Sequence, residues 1–111
     1  MKITENALKI LKQRYLKQGE TWEKLCDRVA DKVASDEKKS QERSKWFKAY
    51  QKIMLDLDFL PNSPTLRNFG RDGGCGSACF VLPIENGRRS IFRTLSDAVD
   101  VQTYGGGSLM P

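Results

Sequence analysis

The strongest constraint on this chain lies at Leu60-Pro61-Asn62-Ser63-Pro64. Two prolines within four positions remove backbone donors, and turn-forming residues separate them. Gly70, Gly73, Gly74 and Gly76 follow, so a loop is expected up to the apolar run that begins at Ala78. The break divides one small domain, residues 1–111, into a helical part over 1–59 and a loop, strand and helix over 60–111. A chain of this length holds one modest core.

Before the break the apolar residues recur at helical spacing. Leu8, Leu11 and Tyr15 predict a first helix over Thr4 to Leu16, with Thr4 as its cap and Gly19 ending it. A second helix is expected from Thr21, with Trp22, Leu25, Val29 and Val33 on one stripe and Cys26 at its edge as a small core residue. A third runs from near Asp36 to about Leu57, and Trp46, Phe47, Tyr50, Ile53, Met54 and Leu57 form its broad apolar face.

After the break, Ala78 to Ile84 is a short apolar run that suits a buried strand ended by Pro83. Ser90 then caps a helix reaching about Thr103, with Ile91, Phe92, Leu95, Ala98 and Val99 as its apolar face and Gly105-Gly106-Gly107 as its stop. The fold class expected is mainly α (α+β). A lone strand leaves backbone groups unpaired on both edges, so a second copy, a separate chain or a strand over Leu66 to Phe69 must pair with it.

The net charge of +5 comes from Lys and Arg interspersed with acids along helical segments, the pattern of a solvated helix surface. Binding to nucleic acid therefore ranks last among the functions considered. No segment is long and apolar enough for a membrane span and no signal peptide is evident, so a cytoplasmic protein is expected. Three cysteines, Cys26, Cys75 and Cys79, fit free thiols in a reducing compartment. Without any histidine, Ser-His and Cys-His catalytic pairs and Cys/His zinc sites are excluded, and no metal site is expected. The glycines before Cys79 lack a Gly-Lys-Ser/Thr ending and lead into a strand, which excludes a nucleotide P-loop.

The segments Asn62-Ser63-Pro64-Thr65 and Gly73-Gly74-Cys75-Gly76-Ser77-Ala78-Cys79 hold most of the chain's candidate chemistry. Hydroxyls and glycine amides suit an anion, and a thiol at a strand start suits redox or nucleophilic work. The competing reading is a turn in which Ser and Thr satisfy local backbone groups and the cysteine is packing.

These same blocks carry a family resemblance. Leu60-Pro61-Asn62-Ser63-Pro64-Thr65-Leu66, then Asn68, Gly70 and Gly74, then Ser77-Ala78-Cys79-Phe80-Val81-Leu82-Pro83 resemble the amino-terminal region of adenosylcobalamin-dependent class II ribonucleotide reductases. The likeness extends back to Ile3-Thr4-Glu5-Asn6-Ala7-Leu8 and forward through Ser90-Ile91-Phe92 to Gly105-Gly106-Gly107. It implies that Cys79 is one of two cysteines that donate electrons to the substrate and then form a disulfide, the other lying far downstream. It implies also that Ser63 and Thr65 hold the nucleotide's phosphates and ribose, with Ala78 and Gly106 at the substrate. The segment after the strand would contribute to binding deoxynucleotide effectors.

Some positions depart from the family's pattern. Asn86 stands where an acid is usual, Gly87, Arg88 and Arg89 replace a hydroxyl, an apolar residue and an acid, and Cys75 is an added thiol. These changes count against effector recognition. The resemblance also places the radical cysteine, the second redox cysteine and nearly all of the barrel outside the 111 residues. The expectation is therefore a fragment or split subunit that is not competent alone. Adenosylcobalamin belongs to a complete family member and is not expected on this chain by itself. The expected partners are a carboxy-terminal reductase chain or a second copy, together with nucleotides. The alternative is a non-catalytic nucleotide-binding or protein-interaction module derived from the same region.

Overall fold

The computed structural model describes residues 3–109, and its elements run α1 (Glu5–Arg14), α2 (Trp22–Ala34), α3 (Ser40–Leu55), α4 (Ser63–Asn68), β1 (Cys79–Val81), α5 (Arg88–Thr103) and β2 (Gly107–Leu109). The fold is mainly α, as the periodicity predicts. Thr4 and Thr21 cap α1 and α2, their hydroxyls accepting from the backbone N–H groups of Ala7 and Lys24 at 3.3 Å. The core sits on α2, where Trp22, Leu25, Cys26, Val29, Ala30 and Ala34 are buried, joined by Met54 of α3 and Leu66 of α4. Val33 lies outside it, because the inward stripe of α2 turns onto the small residues Ala30 and Ala34, whose short side chains suit the close packing of α2 on α3.

Helix α3 starts later than expected, leaving Asp36 to Lys39 outside it, and Lys39 supplies no side-chain cap. Its broad apolar face is only half covered. Met54 is buried, Phe47 and Tyr50 pack at the core's margin, and Trp46 stacks on Tyr50 with ring centroids 5.7 Å apart. The helix ends at Leu55 rather than Leu57. Leu57 adopts φ 61°, the left-handed conformation usually given to glycine; its N–H bonds the Met54 carbonyl at 3.1 Å and the Asp58 N–H bonds that of Ile53 at 3.0 Å. This pattern satisfies two terminal carbonyls and turns the chain back toward α2.

Several expectations after Leu60 are corrected. The segment expected to be loop contains α4, because Asn62 caps it through a 3.0 Å bond from the Thr65 N–H, and Pro64 sits in the first turn, where its missing donor costs nothing. Leu66 to Phe69 is accordingly not a strand. The partner of β1 is β2, which pairs with it in parallel with Cys79 opposite Gly107, Phe80 opposite Ser108 and Val81 opposite Leu109.

The strand itself is shorter than Ala78 to Ile84 and is not buried: Val81 is 71% exposed. Helix α5 begins at Arg88 after Gly87, and the Ser90 hydroxyl, instead of capping it, accepts from the Glu85 N–H at 3.0 Å. Of its expected apolar face only Ala98 is buried; Thr94 is the other buried residue, and Ile91, Phe92, Leu95 and Val99 lie exposed. The β1-α5-β2 segment is a parallel crossover unit that covers one side of its helix and leaves the other open.

Candidate functional site around Cys79

Helix α4 organises the site, and α2 holds α4. Arg28 donates from Nε to Glu20 Oε1 at 2.8 Å, from Nη2 to the Leu66 carbonyl at 3.1 Å and from Nη1 to the Phe69 carbonyl. Two bonds from one guanidinium thus fix the last turn of α4 against α2, while Glu20 holds the guanidinium itself in place. Arg71 completes the cluster, 3.6 Å from Glu20 and donating to the Tyr15 carbonyl at 2.5 Å. Burial alone pushes the Glu20 carboxyl up, but the Arg28 hydrogen bond, the Lys17 N–H and the charges of Arg28 and Arg71 outweigh it and hold the group below its ordinary 4.5.

From α4 two side chains one turn apart reach the glycine-rich loop. Thr65 Oγ1 lies 2.8 Å from both Asn62 Oδ1 and the Gly76 carbonyl, between which its single proton is shared. Asn68 donates its amide to the Cys75 carbonyl at 2.7 Å. The Phe69 ring lies against Gly76 so closely that an added Cβ would stand 2.1 Å from Cε1, which explains glycine there. On the far side of the loop the Ala78 carbonyl accepts from the Gly107 N–H at 2.6 Å. Gly106 nestles between Val101 and Phe80, where an added Cβ would meet Cγ1 at 2.8 Å and Cε2 at 2.9 Å.

The structure therefore brings together Thr65, Ala78, Cys79 and Gly106 through the loop and the ladder. Ser63 is engaged elsewhere, its hydroxyl 2.8 Å from that of Tyr15 at the end of α1. Cys79 opens β1 with its side chain exposed, Cys75 is half-buried with its sulfur accepting from the Ser77 N–H at 3.3 Å, and Cys26 is fully buried. Burial, with the charges of Asp27 and Glu23, pushes the Cys26 thiol up to about 12. It is a core residue, as its place on α2 predicts. Chemically, the arrangement presents one accessible thiol on a short ladder.

Sequence reasoning missed Asn68 and Arg28. The spacing of Asn62 and Thr65 is an N-cap signal that reveals α4, and Asn68 one turn later then falls on the loop side; nothing local to Arg28 announces its bonds to residues 38 and 41 positions away. A second feature, a groove of about 430 Å³ between the strand's end and α5, is lined by Glu85, Arg89, Ser90, Arg93, Thr94 and Asp97. Thr94 closes its floor by donating to the Pro83 carbonyl at 2.8 Å.

Comparison with known proteins completes the description. Residues 1–74 match the family model for the ribonucleotide reductase all-alpha domain. A vitamin B12-dependent ribonucleoside-diphosphate reductase of Mycobacterium tuberculosis (strain CDC 1551 / Oshkosh) is 41% identical over 116 aligned residues, covering 97% of this chain and 17% of that protein. The protein of the same name in Thermoplasma acidophilum is 46% identical over 59 residues, covering 53% of this chain and 8% of its own length. The chain thus spans less than a fifth of the curated relatives it matches. With two thirds of its residues under the family model and near-complete alignment to a reductase, the chain belongs to the ribonucleotide reductase family, in the amino-terminal region that includes the all-alpha domain.

Proposed function

We propose that the chain supplies the amino-terminal segment of a B12-dependent reductase that converts ribonucleoside diphosphates to deoxyribonucleotides, and that Cys79 is one of its two substrate-reducing thiols. The observation that carries this reading is the placement of Cys79, exposed at the start of a parallel strand, opposite Gly107 of the triple-glycine turn and three residues after Gly76, whose carbonyl Thr65 of α4 bonds. In the overall reaction two thiols become a disulfide; their two electrons and two protons replace the ribose 2′-hydroxyl by hydrogen and release it as water. Cys79 supplies one sulfur, and the second comes from the reductase body.

The β1-α5-β2 unit supports the same reading. Parallel strands are normally covered on both faces, whereas here Val81, Leu109, Ile91, Phe92, Leu95 and Val99 remain exposed. A further run of parallel strands and helices, supplied by the rest of a reductase, covers them and continues the sheet. Two open grooves of about 500 Å³ among the described residues are of the size that suits drug-sized molecules, roughly 300–1,000 Å³, and adenosylcobalamin is larger than these. The cofactor belongs to the body, where it supplies the radical chemistry.

The test is reconstitution. The chain is mixed with a Mycobacterium reductase body lacking the matching segment, and deoxynucleotide formation is followed with B12 cofactor and a dithiol. Turnover with the native chain and none with Cys79→Ser is expected; an inactive mixture that nonetheless forms a stable complex overturns the catalytic assignment.

A second reading, a nucleotide-binding module without catalysis, is favoured by the groove bearing Arg89 and Arg93. Calorimetry against ribo- and deoxynucleotides decides it. Absence of heat at millimolar ligand leaves protein interaction as its only content.

A further inference from the structure

We infer that Asn68 is a positioning residue for Cys79, fixing the thiol-bearing strand relative to α4; this rests on Cys79 being the reactive thiol. The loop before Cys79 is built to move. Gly70, Gly73 and Gly74 all have positive φ, and a free loop of this composition would leave the start of β1 without a defined position.

Three of the four peptide carbonyls from Cys75 to Ala78 are instead tied down. Asn68 holds that of Cys75 at 2.7 Å, Thr65 lies 2.8 Å from that of Gly76, and the Gly107 N–H holds that of Ala78 at 2.6 Å. Of the carbonyls from Cys75 to Ala78, Ser77 alone is untouched by these three groups. The first two bonds come from α4 and reach Cys75 and Gly76, and the third comes from β2 and reaches Ala78, so the segment leading into Cys79 is held at both of its ends.

Within this grip Asn68 has a distinct part. The Thr65 hydroxyl divides its proton between the loop and Asn62, whereas the Asn68 amide is committed to the loop. The loop is moulded around that amide: a Cβ on Gly74 would stand 2.6 Å from Asn68 Cγ, and the φ of +93° at Gly74 independently excludes most side chains. Arg28, by bonding the Leu66 and Phe69 carbonyls on either side of Asn68, removes slack from the helix turn that presents it. The consequence is that α4, which also bears Ser63 and Thr65, and the thiol of Cys79 form one rigid unit. Of the side chains that set their separation, Asn68 is the one whose donor serves the loop alone.

The experiment compares the full chain with Asn68→Ala and the isosteric Asn68→Asp, the second keeping shape while removing the donor. Amide exchange is followed residue by residue, and the Cβ resonances of selectively labelled cysteines report each thiol's surroundings. Both variants are expected to speed exchange of the Gly107 N–H at least tenfold and to broaden or split the Cys79 resonance. The Cys26 resonance and the amides of α2 stay as in the parent. An unchanged Gly107 rate and a single sharp Cys79 resonance in both variants overturn the inference, as does loss of α2 protection in parallel with the ladder, which makes Asn68 a general stabiliser. If Asn68→Ala fails to fold, Asn68→Asp and Gly74→Ala, which disturbs the same contact from the loop side, carry the test. These readouts need no turnover, so an inactive reconstituted reductase would remove the proposed function while leaving the positioning result standing.

Discussion

Arg28 and Glu20 face each other across 2.8 Å with side chains only 10% and 8% exposed, and the same guanidinium bonds two carbonyls of α4. A charged pair so placed is costly to break from one side, because the surviving Glu20 charge stays buried with only the Lys17 N–H and the more distant Arg71 to meet it. Arg28→Met is expected to destabilise the chain by about 3 kcal/mol, read from the urea midpoint with the denaturant slope held constant. A loss below ~1 kcal/mol would mean that water replaces the guanidinium without penalty.

The same pair sets an acid limit. The folded Glu20 carboxyl titrates below its ordinary 4.5, so its stabilisation is complete above that pH and is lost as pH falls through the lower, folded value. Glu20→Gln should therefore be less stable near neutrality and lose less stability than the parent does as pH falls below 4.5. Parallel pH profiles of the two proteins would contradict this.

The thiols should separate cleanly by burial. Cys26, fully buried and with its thiol pushed up to about 12, is expected to resist alkylation at pH 8 until the chain unfolds, whereas exposed Cys79 reacts in the native state. Peptide mapping by mass spectrometry reads both. Cys79→Ala should change stability by less than ~0.5 kcal/mol, since its side chain contributes little packing.

Asn62 tests the origin of α4. Removing its side chain with Asn62→Ala costs about 1 kcal/mol and frees the Thr65 N–H that it caps. Thermal unfolding followed by far-UV circular dichroism gives the loss, and an unchanged midpoint would show that Pro64 alone starts the helix.

Gly106→Ala forces a methyl group against Val101 and Phe80 at 2.8–2.9 Å. The expected loss is about 1–3 kcal/mol, concentrated in the ladder. Its signature is faster exchange of the Leu82 N–H, which bonds the Leu109 carbonyl, with α2 unaffected.

Much of the helical part was legible because its information is local. Thr4 and Thr21 cap the helices they precede, and Trp22, Leu25, Cys26 and Val29 fall on the buried stripe that their spacing predicts. What escaped was set by residues distant in sequence or by short elements. Asn62 turns a proline-containing segment into a helix that a count of breakers reads as loop. Gly107 to Leu109 forms a strand with little side-chain signal, because its pairing is specified by backbone groups brought back along α5. Phe92 and Leu95 show the reverse error: their period marks an apolar face correctly, yet no described element covers it. At the site, the position of Cys79 at a strand's start was legible from the apolar run that follows it; the Asn68 bond was not, since an asparagine near a helix end has many possible partners.

The separation of β1 from β2 by the whole of α5 has a consequence for biosynthesis. During translation the helical half, whose core contacts lie within α2, α3 and α4, emerges first and can consolidate on the ribosome. The segment carrying Cys79 follows, but its ladder cannot close until Gly107 to Leu109 have cleared the exit tunnel. In that interval an unpaired strand edge and the apolar side chains of Val81 and Phe92 stand open to other nascent chains. The Cys79 segment is thus the part of the fold most dependent on the pace of its own synthesis.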